Sequence, residues 1–566
     1  MKFFLILRED GGWFFSPFAE VDKPEEVGEV LQPALPLSVV ERLVQEVQGP
    51  VKTHRLSRVE AKKRIIKALR REIAPSALEW DWSEVEAIAE TPECPQEFEQ
   101  RVRGRQLTDG DLGWLAEEMH VSQEMVWRWA DTLVRRGEGE WLPAVRQFQG
   151  HWQCRRCGGE DVEEWPSVFG MAATCKDCLS LGPATSLGVL FRSRISVGKF
   201  SFGININYSF QSNFALTPAQ ERAATELLQF VTDPLGSEAL IWAACGAGKT
   251  EVGFPSIDWA LRHGLAVLFA APRQDVVLDV APRLQRNFLG LGVPVLTGRT
   301  PGISRGSLTG GLVVATTHQV LRFYQAFGLI ILDEIDAFPY AGSRALAWGL
   351  RQALQPGGKI ICMTATPTKH QIQSVEKERG SVIRLPARHH RHPLPVPTWE
   401  RLNFRETGEL ALARDEARFW AKLKDLSARG PVLLFVPKIA WVNPWVERLR
   451  QGMPQATVAG SFSADPERQA KVTELQAGGM DFFVSTSILE RGVTIEGVQV
   501  IVMAADHSVF DERSLVQMAG RVGRSPCEPE GEVFFWSGRK TAGIDKAIHW
   551  IKEQNALALA QGLIQS

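Results

Sequence analysis

Nine short apolar runs, spaced by helical stretches, constrain this chain more than any other feature. Five come early, as "EALIWAA", "GLAVLFAA", "GLVVAT", "GLIILDE" and "KIICMTAT". After the His- and Pro-rich stretch "RHHRHPLPVPTW" (388–399) come "PVLLFV", "MDFFVSTS", "VQVIVMA" and "GEVFFW". A strand that is apolar on both faces is buried on both faces, and helices between such strands supply the cover. Two parallel-sheet α/β domains facing a cleft are expected, joined by the Pro-rich linker.

At 566 residues the chain is too long for one core, and a prior of roughly 150 residues per domain suggests three or four. With 44% hydrophobic and 23% charged residues it is of globular composition. The formal net charge of −2 excludes a generally basic nucleic-acid binder, so any such contact uses a local patch. Eight cysteines are too few for a disulfide scaffold. The N-terminal "MKFFLILREDGGWFFSP" is interrupted by Arg8, Glu9 and Asp10 and lacks a cleavage pattern. With no apolar run long enough to span a bilayer, a soluble, cytoplasmic protein is expected.

Before the sheets, residues 1–18 read as a β-hairpin around "REDG". Residues 52–72 place nine Lys/Arg against Glu60 and Glu72 on a helix. A solvated face and a patch for nucleic-acid phosphates fit equally. Residues 107–141 read as two short helices. "LAEEMHVSQEMVWRW" resembles a helix-turn-helix, with His120 at the usual turn glycine, but a pair that merely packs is the simpler reading.

"LIWAACGAGKTEVGF" is a strand, a glycine-rich turn and a helix. Gly246, Ala247 and Gly248 let backbone amides face a phosphate, Lys249 reaches the β/γ-phosphates, and Thr250 holds Mg²⁺. Ala243 stands where glycine is usual. Further on, "LIILDEIDAF" puts Asp333 and Glu334 just after an apolar strand, suited to holding Mg²⁺ and to polarising the attacking water. "SLVQMAGRVGRS" offers Gln517, Arg521 and Arg524. The i, i+3 spacing predicts both arginines on one helix face, aimed at developing phosphate charge. Upstream, Cys154, Cys157, Cys175 and Cys178 form C-x₂-C-x₁₇-C-x₂-C, the spacing of a closed four-thiolate zinc site. Two redox pairs or chance are the competing readings. Arg155, Arg156 and Lys176 on its knuckles either touch nucleic acid or form ordinary surface.

Over roughly residues 214–540 the chain resembles the superfamily 2 helicases and translocases. "LTPAQ" (216–220) resembles the adenine-reading element, with Gln220 as base contact. "AAPRQDV" resembles motif Ia, and "ATTHQVL" the next strand-binding motif. "TATP" resembles motif III, and "VSTSILERGVTIEG" motif V. That resemblance implies two tandem RecA-like motor domains and nucleic-acid contacts at Pro272, Arg273, Thr316, Thr364, Thr486 and Arg491, with motif IV near Phe435.

A four-cysteine module ahead of such a core resembles the late-competence ComFA family, and the module's position is its most telling feature. The resemblance implies an ATP- and Mg²⁺-dependent single-stranded DNA translocase with one structural Zn²⁺, acting in natural transformation. It also implies ComFC- and DprA-type competence proteins as partners, and a cytoplasmic place at the inner face of the membrane uptake channel. The expected layout is an N-terminal region at 1–150, a zinc module at 151–195, motor domains at 196–390 and 391–545, and a C-terminal helix at 546–566. No wedge for strand separation is legible, so translocation without unwinding is expected. A PriA-type restart helicase is the nearest alternative, but its cysteines follow the first motor motifs. An RNA helicase would read "DEAD" and "SAT" where this chain has "DEID" and "TAT". A scaffold with a lapsed ATPase fits poorly with intact Lys249, Asp333, Glu334 and Arg524.

Overall fold

The computed structural model describes residues 2–8, 13–21, 28–48, 58–72, 80–84, 86–87, 93–194, 208–298, 311–410, 413–487 and 495–564. Its contacts divide the chain into two compact units. One is Met1–Gln211 with Ile257–Ile360, the other Ser212–Ser256 with Ile361–Ser566.

The first unit begins with the expected hairpin. Phe4–Arg8 pairs antiparallel with Trp13–Ser16, Leu7 opposite Trp13, in a four-stranded sheet completed by Gly28–Gln32 and Asp81–Glu84. Helices Leu37–Gln48 and Arg58–Glu72 share one core with Phe98, Leu115, Trp127, Trp141 and Phe191. Trp127 and Trp141 stack at 4.8 Å.

The pair of helices expected in 107–141 is Asp109–Glu118 and Gln123–Arg135. His120 in the turn does take the left-handed conformation, at φ 55°. The second helix buries Val126, Trp127, Trp129, Ala130 and Leu133. Its apolar face is spent on the core, as a packing pair requires.

The parallel strands of this unit are Val295–Leu296, Leu312–Thr316, Val267–Ala271 and Phe327–Leu332, neighbours in that order. All side chains of the last three strands are buried. That is the two-sided burial their composition demands. The long strand Leu354–Thr364 passes through the residue where one unit gives way to the other.

In the second unit, Glu238–Ala243 pairs parallel with Ser381–Leu385, Ala243 opposite Leu385. A separate six-stranded sheet is parallel throughout. Its order is Thr398–Arg401, Val533–Ser537, Gln499–Met503, Val432–Phe435, Phe482–Ser485 and Val458–Ser461. The long helix Ala542–Ala560 packs Ile544, Ala547, Trp550 and Ile551 inward. All nine apolar runs are strands. Val295–Leu296, Ser381–Leu385, Thr398–Arg401 and Val458–Ser461 were not among them, being short or interrupted by polar residues. Among the described residues, no helix is long and apolar enough to cross a membrane.

Candidate nucleotide and metal sites

In open parallel sheets, ligands are taken at the carboxyl ends of the strands, where loops and helix N-termini converge. Glu238–Ala243 delivers the glycine-rich loop to such an end, and the helix Lys249–Val252 starts from it. Gly246 and Gly248 both lie at positive φ, 81° and 72°. A side chain at 248 would also collide with the Gln220 amide, 2.4 Å from where its Cβ would stand. Gln220 is 5% exposed, and both ends of its amide are engaged. Nε2 donates to the Ala247 carbonyl at 2.9 Å, and Oε1 accepts from the Thr217 amide at 2.9 Å, closing a capping box on the helix Pro218–Thr232. The residue expected to read adenine therefore also ties its helix to the phosphate loop. Lys249 is half-buried and Thr250 buried beside it.

The segment carrying Gln517, Arg521 and Arg524 lies against this loop, within the same unit. The Cys245 thiol donates to Gln517 Oε1 at 3.4 Å. A Cβ on Gly520 would stand 2.5 Å from that of Cys245. The helix-face expectation for the two arginines needs correction. The helix Glu512–Ala519 ends before them, Arg521 lying in the turn 520–523 and Arg524 just past it. Past the helix end, Gly523 at φ 64° turns the chain further from the helical path, and a Cβ there would meet the Pro529 carbonyl oxygen. Arg521 is buried, while Arg524 is half-exposed with its Nε donating to the Gly520 carbonyl at 3.0 Å.

Sequence reasoning passed over Arg388, placing it at the head of a linker. Its side chain is 2% exposed. The guanidinium donates to the carbonyls of Cys245 (3.2 Å), Gly523 (2.5 Å) and Gly520 (3.3 Å). One planar fork therefore joins the phosphate loop to the arginine-bearing turns, a job its fixed donor geometry suits. Burial, and after it the Arg524 charge, pushes the Arg388 pKa down to about 10. His389 Nδ1 lies 3.1 Å from the Gly246 carbonyl and His390 Nε2 2.9 Å from that of Gly523. The signal was present in the sequence: five consecutive basic residues, Arg388–His392, shortly after the strand that pairs with the loop's own strand.

In the first unit the acidic pair follows Phe327–Leu332, with Asp333 4% and Glu334 9% exposed. The Glu334 amide donates to Asp333 Oδ1 at 2.8 Å, and Glu334 stands at φ 54°. A non-glycine residue held there costs about 1–3 kcal/mol, a strain that collects at functional sites. The neighbouring strands bring Pro272 and Thr316 to the same edge, since Ala271 faces Thr316 and Ala270 faces Leu332. Arg273 pairs with Asp275 at 2.9 Å. In the second unit Thr364 is wholly buried, its Oγ1 accepting from the Thr366 amide at 3.0 Å, and Thr486 is half-buried past Phe482–Ser485. Arg491 lies outside the described residues.

The four cysteines converge. Cys154 ends the strand His151–Cys154 and Cys175 ends Gly170–Cys175. Their four sulfurs lie within 4.8 Å of one another, all buried. Separations of 3.7, 3.5 and 3.6 Å join Cys154 to Cys178, Cys157 to Cys175 and Cys175 to Cys178. A tetrahedron with metal–sulfur bonds of about 2.3 Å has edges of about 3.8 Å, so the donor set fits zinc. None of the four is in a disulfide. Gly158, at φ 71°, donates to the Cys154 carbonyl at 2.9 Å. Its flat edge admits Trp348, whose ring would be 2.5 Å from any Cβ there.

The surface expected for Arg156 is absent: it is 0% exposed. Nε and Nη2 donate to the Cys178 sulfur at 3.3 and 3.1 Å, and Nη2 also to the Cys178 and Gly182 carbonyls at 2.8 and 2.6 Å. Four thiolates on a divalent ion leave a net charge of about −2. A buried guanidinium offsets part of it, which is the physical reason to bury one here. The Arg156 hydrogen bonds to the Cys178 sulfur favour its thiolate form.

Residues 217–375 match the DEAD/DEAH box helicase family and residues 418–526 the helicase conserved C-terminal domain. The competence protein ComFA of Bacillus subtilis is 32% identical over 472 residues, covering 82% of this chain and 96% of its own. The ComFA of Streptococcus pneumoniae is 34% identical over 441 residues, covering 75% and 95%. An ATP-dependent DNA helicase RecG from Synechocystis is 26% identical over 328 residues, covering 55% of this chain and 38% of its own.

Proposed function

Because the chain belongs to the ComFA family of competence proteins, we propose that it draws single-stranded DNA along itself by ATP hydrolysis during natural transformation. It is an ATP-hydrolysing helicase of superfamily 2. The register of three neighbouring strands supports the finer reading. Ala271 faces Thr316 and Ala270 faces Leu332, so Pro272–Arg273, Thr316 and Asp333 leave one sheet edge side by side. Residues suited to gripping a phosphate backbone thus share a rigid edge with the carboxylate suited to Mg²⁺. A shift of that edge on hydrolysis moves the grip with it. Grip through phosphates carries no sequence preference, which uptake of arbitrary DNA requires.

In this reading Lys249 and Thr250 hold the triphosphate and its Mg²⁺, Glu334 orients water, and Arg521 and Arg524 meet the charge that develops as the γ-phosphate leaves. Four thiolates hold one zinc ion with no open position, so the module serves structure. Competence proteins of the ComFC and DprA type are its proposed partners, at the cytoplasmic face of the uptake channel.

The test is ATP turnover against single-stranded DNA, duplex DNA and RNA. Strong stimulation by single-stranded DNA and weak stimulation by the others is expected. Equal stimulation by RNA would replace this reading with an RNA helicase.

A further inference from the structure

The sequence of the basic helix Arg58–Glu72 suits either a solvated face or a phosphate-binding patch, and its surroundings decide between them. Ala61, Ile65, Ala68 and Leu69 bury one face against the N-terminal core. Lys63, Lys67 and Arg70 follow at i, i+4 and i+7 on an exposed stripe about 10 Å long. None of the three forms an ion pair with a described residue, whereas Arg64 is paired with Glu60 and Lys62 with Glu29. Three cations on one stripe with no ion pair among the described residues are notable in a chain whose net charge is −2.

Beside the stripe runs the strand Asp81–Glu84, held in the sheet with Trp82 opposite Leu31. The Trp82 ring is half-buried, with the Lys62 ammonium 5.3 Å from its centroid. Its Nε1 is shielded from solvent yet has no hydrogen-bond partner among the described residues. Between helix and strand lies a cavity of about 400 Å³ lined by Lys62, Lys63, Ile66, Lys67, Arg70 and Trp82. That is within the range of small-ligand sites, about 300–1,000 Å³. It has an aromatic and aliphatic floor and a cationic rim.

We propose that this groove is a second binding site for single-stranded nucleic acid, separate from the motor motifs, with Trp82 taking a base and Lys63, Lys67 and Arg70 its phosphates. The pairing of a basic track with an aromatic ring is what strands without sequence preference require. A duplex keeps its bases stacked inside and has no use for the indole. An acidic peptide satisfies the cations but leaves the apolar floor and the indole N–H unmet. The site needs no nucleotide, so it stands or falls independently of ATP-driven movement.

The experiment measures binding of a fluorescent oligo-dT to the full chain without nucleotide, across a salt series. The variants are the exposed triple change Lys63→Gln, Lys67→Gln, Arg70→Gln and, separately, Trp82→Leu, which keeps the apolar floor. For the triple variant we expect affinity to fall about tenfold or more and the salt slope to shrink by about two, three phosphate contacts being lost. DNA-saturated ATP turnover should be unchanged. Trp82→Leu should weaken binding about fivefold or more while leaving the salt slope alone, because stacking carries no counterions. Ultraviolet cross-linking should attach oligo-dT to the peptide containing Trp82. Unchanged affinity and slope in the triple variant would overturn the proposal. So would full competition by polyglutamate at equal charge, or equal binding of duplex at the groove.

Discussion

The Arg388 guanidinium donates to the Gly523 carbonyl at 2.5 Å, and the same side chain reaches back to the Cys245 carbonyl in the phosphate loop at 3.2 Å. A buried arginine thus spans the two sequence motifs on which ATP hydrolysis depends. Its position follows from the sheet. Ala243 and Leu385 are register partners and the Ala244 amide donates to the Leu385 carbonyl, so residue 388 must emerge beside the loop.

Arg388→Ala takes the guanidinium donor from three carbonyls: those of Gly520 and Gly523 keep Arg524 Nε and His390 Nε2, whereas that of Cys245 loses its bond to Arg388, at a cost of about 1–3 kcal/mol if it stays dry. ATP turnover at saturating DNA should fall about tenfold or more, with zinc content unchanged. Arg388→Lys should not restore it, because one ammonium cannot serve three carbonyls spread across a planar fork. Turnover within about twofold of the parent would show the bridge to be dispensable.

Lys249→Ala should reduce ATP hydrolysis on the order of 100-fold or more, the loss typical when a charge facing the transition state is removed. The residue is half-buried at the first position of a short helix and outside the apolar core, so the melting temperature without nucleotide should hardly move. A large drop in that temperature would assign Lys249 a structural role instead.

One equivalent of zinc per chain should be found, and lost when Cys154 and Cys157 become serine. Arg156→Met keeps the volume but removes the guanidinium hydrogen bonds to the Cys178 sulfur. Zinc affinity measured by chelator competition should weaken about tenfold or more, as for other partners of metal ligands. Retention equal to the parent would mean that the buried charge is balanced elsewhere.

His390 supplies a pH dependence. Nε2–H donates to the Gly523 carbonyl at 2.9 Å, and Nδ1 accepts from the His392 amide at 3.2 Å, so the neutral ring is satisfied at both nitrogens. Burial, then Arg388 and His389, lowers its pKa from 6.5 to about 4. As pH falls through 6.5 the unfolded chain takes up this proton first, so the contribution to stability is present above 6.5 and is lost towards pH 4. His390→Gln retains a donor and an acceptor without titrating. Its denaturant midpoint should fall less than the parent's between pH 6.5 and 4; parallel curves would remove His390 from the account.

Much of this was legible in the residues alone. Apolar runs buried on both faces can only be inner strands of parallel sheets, and all nine became strands. Loops with glycine, lysine and threonine, carboxylates after a strand, and paired cysteines declare their chemistry through spacing, because a phosphate or a metal ion demands particular atoms within a few residues. Those local demands determined the fold class, the phosphate loop and the four-sulfur cluster.

Tertiary structure decided what depends on residues distant in sequence. Arg388 became a bridge because its strand pairs with the strand of the loop. Arg156 became a buried counter-charge because the two cysteine pairs fold around it. Arg521 and Arg524 fell beyond the helix, where Gly523 turns the chain against Pro529, and the basic helix acquired a groove because Trp82 returns beside it on another strand. Composition and periodicity report which side chain is apolar or charged. Which partner balances a charge is set by the path of the chain through space, and only the assembled fold supplies that partner.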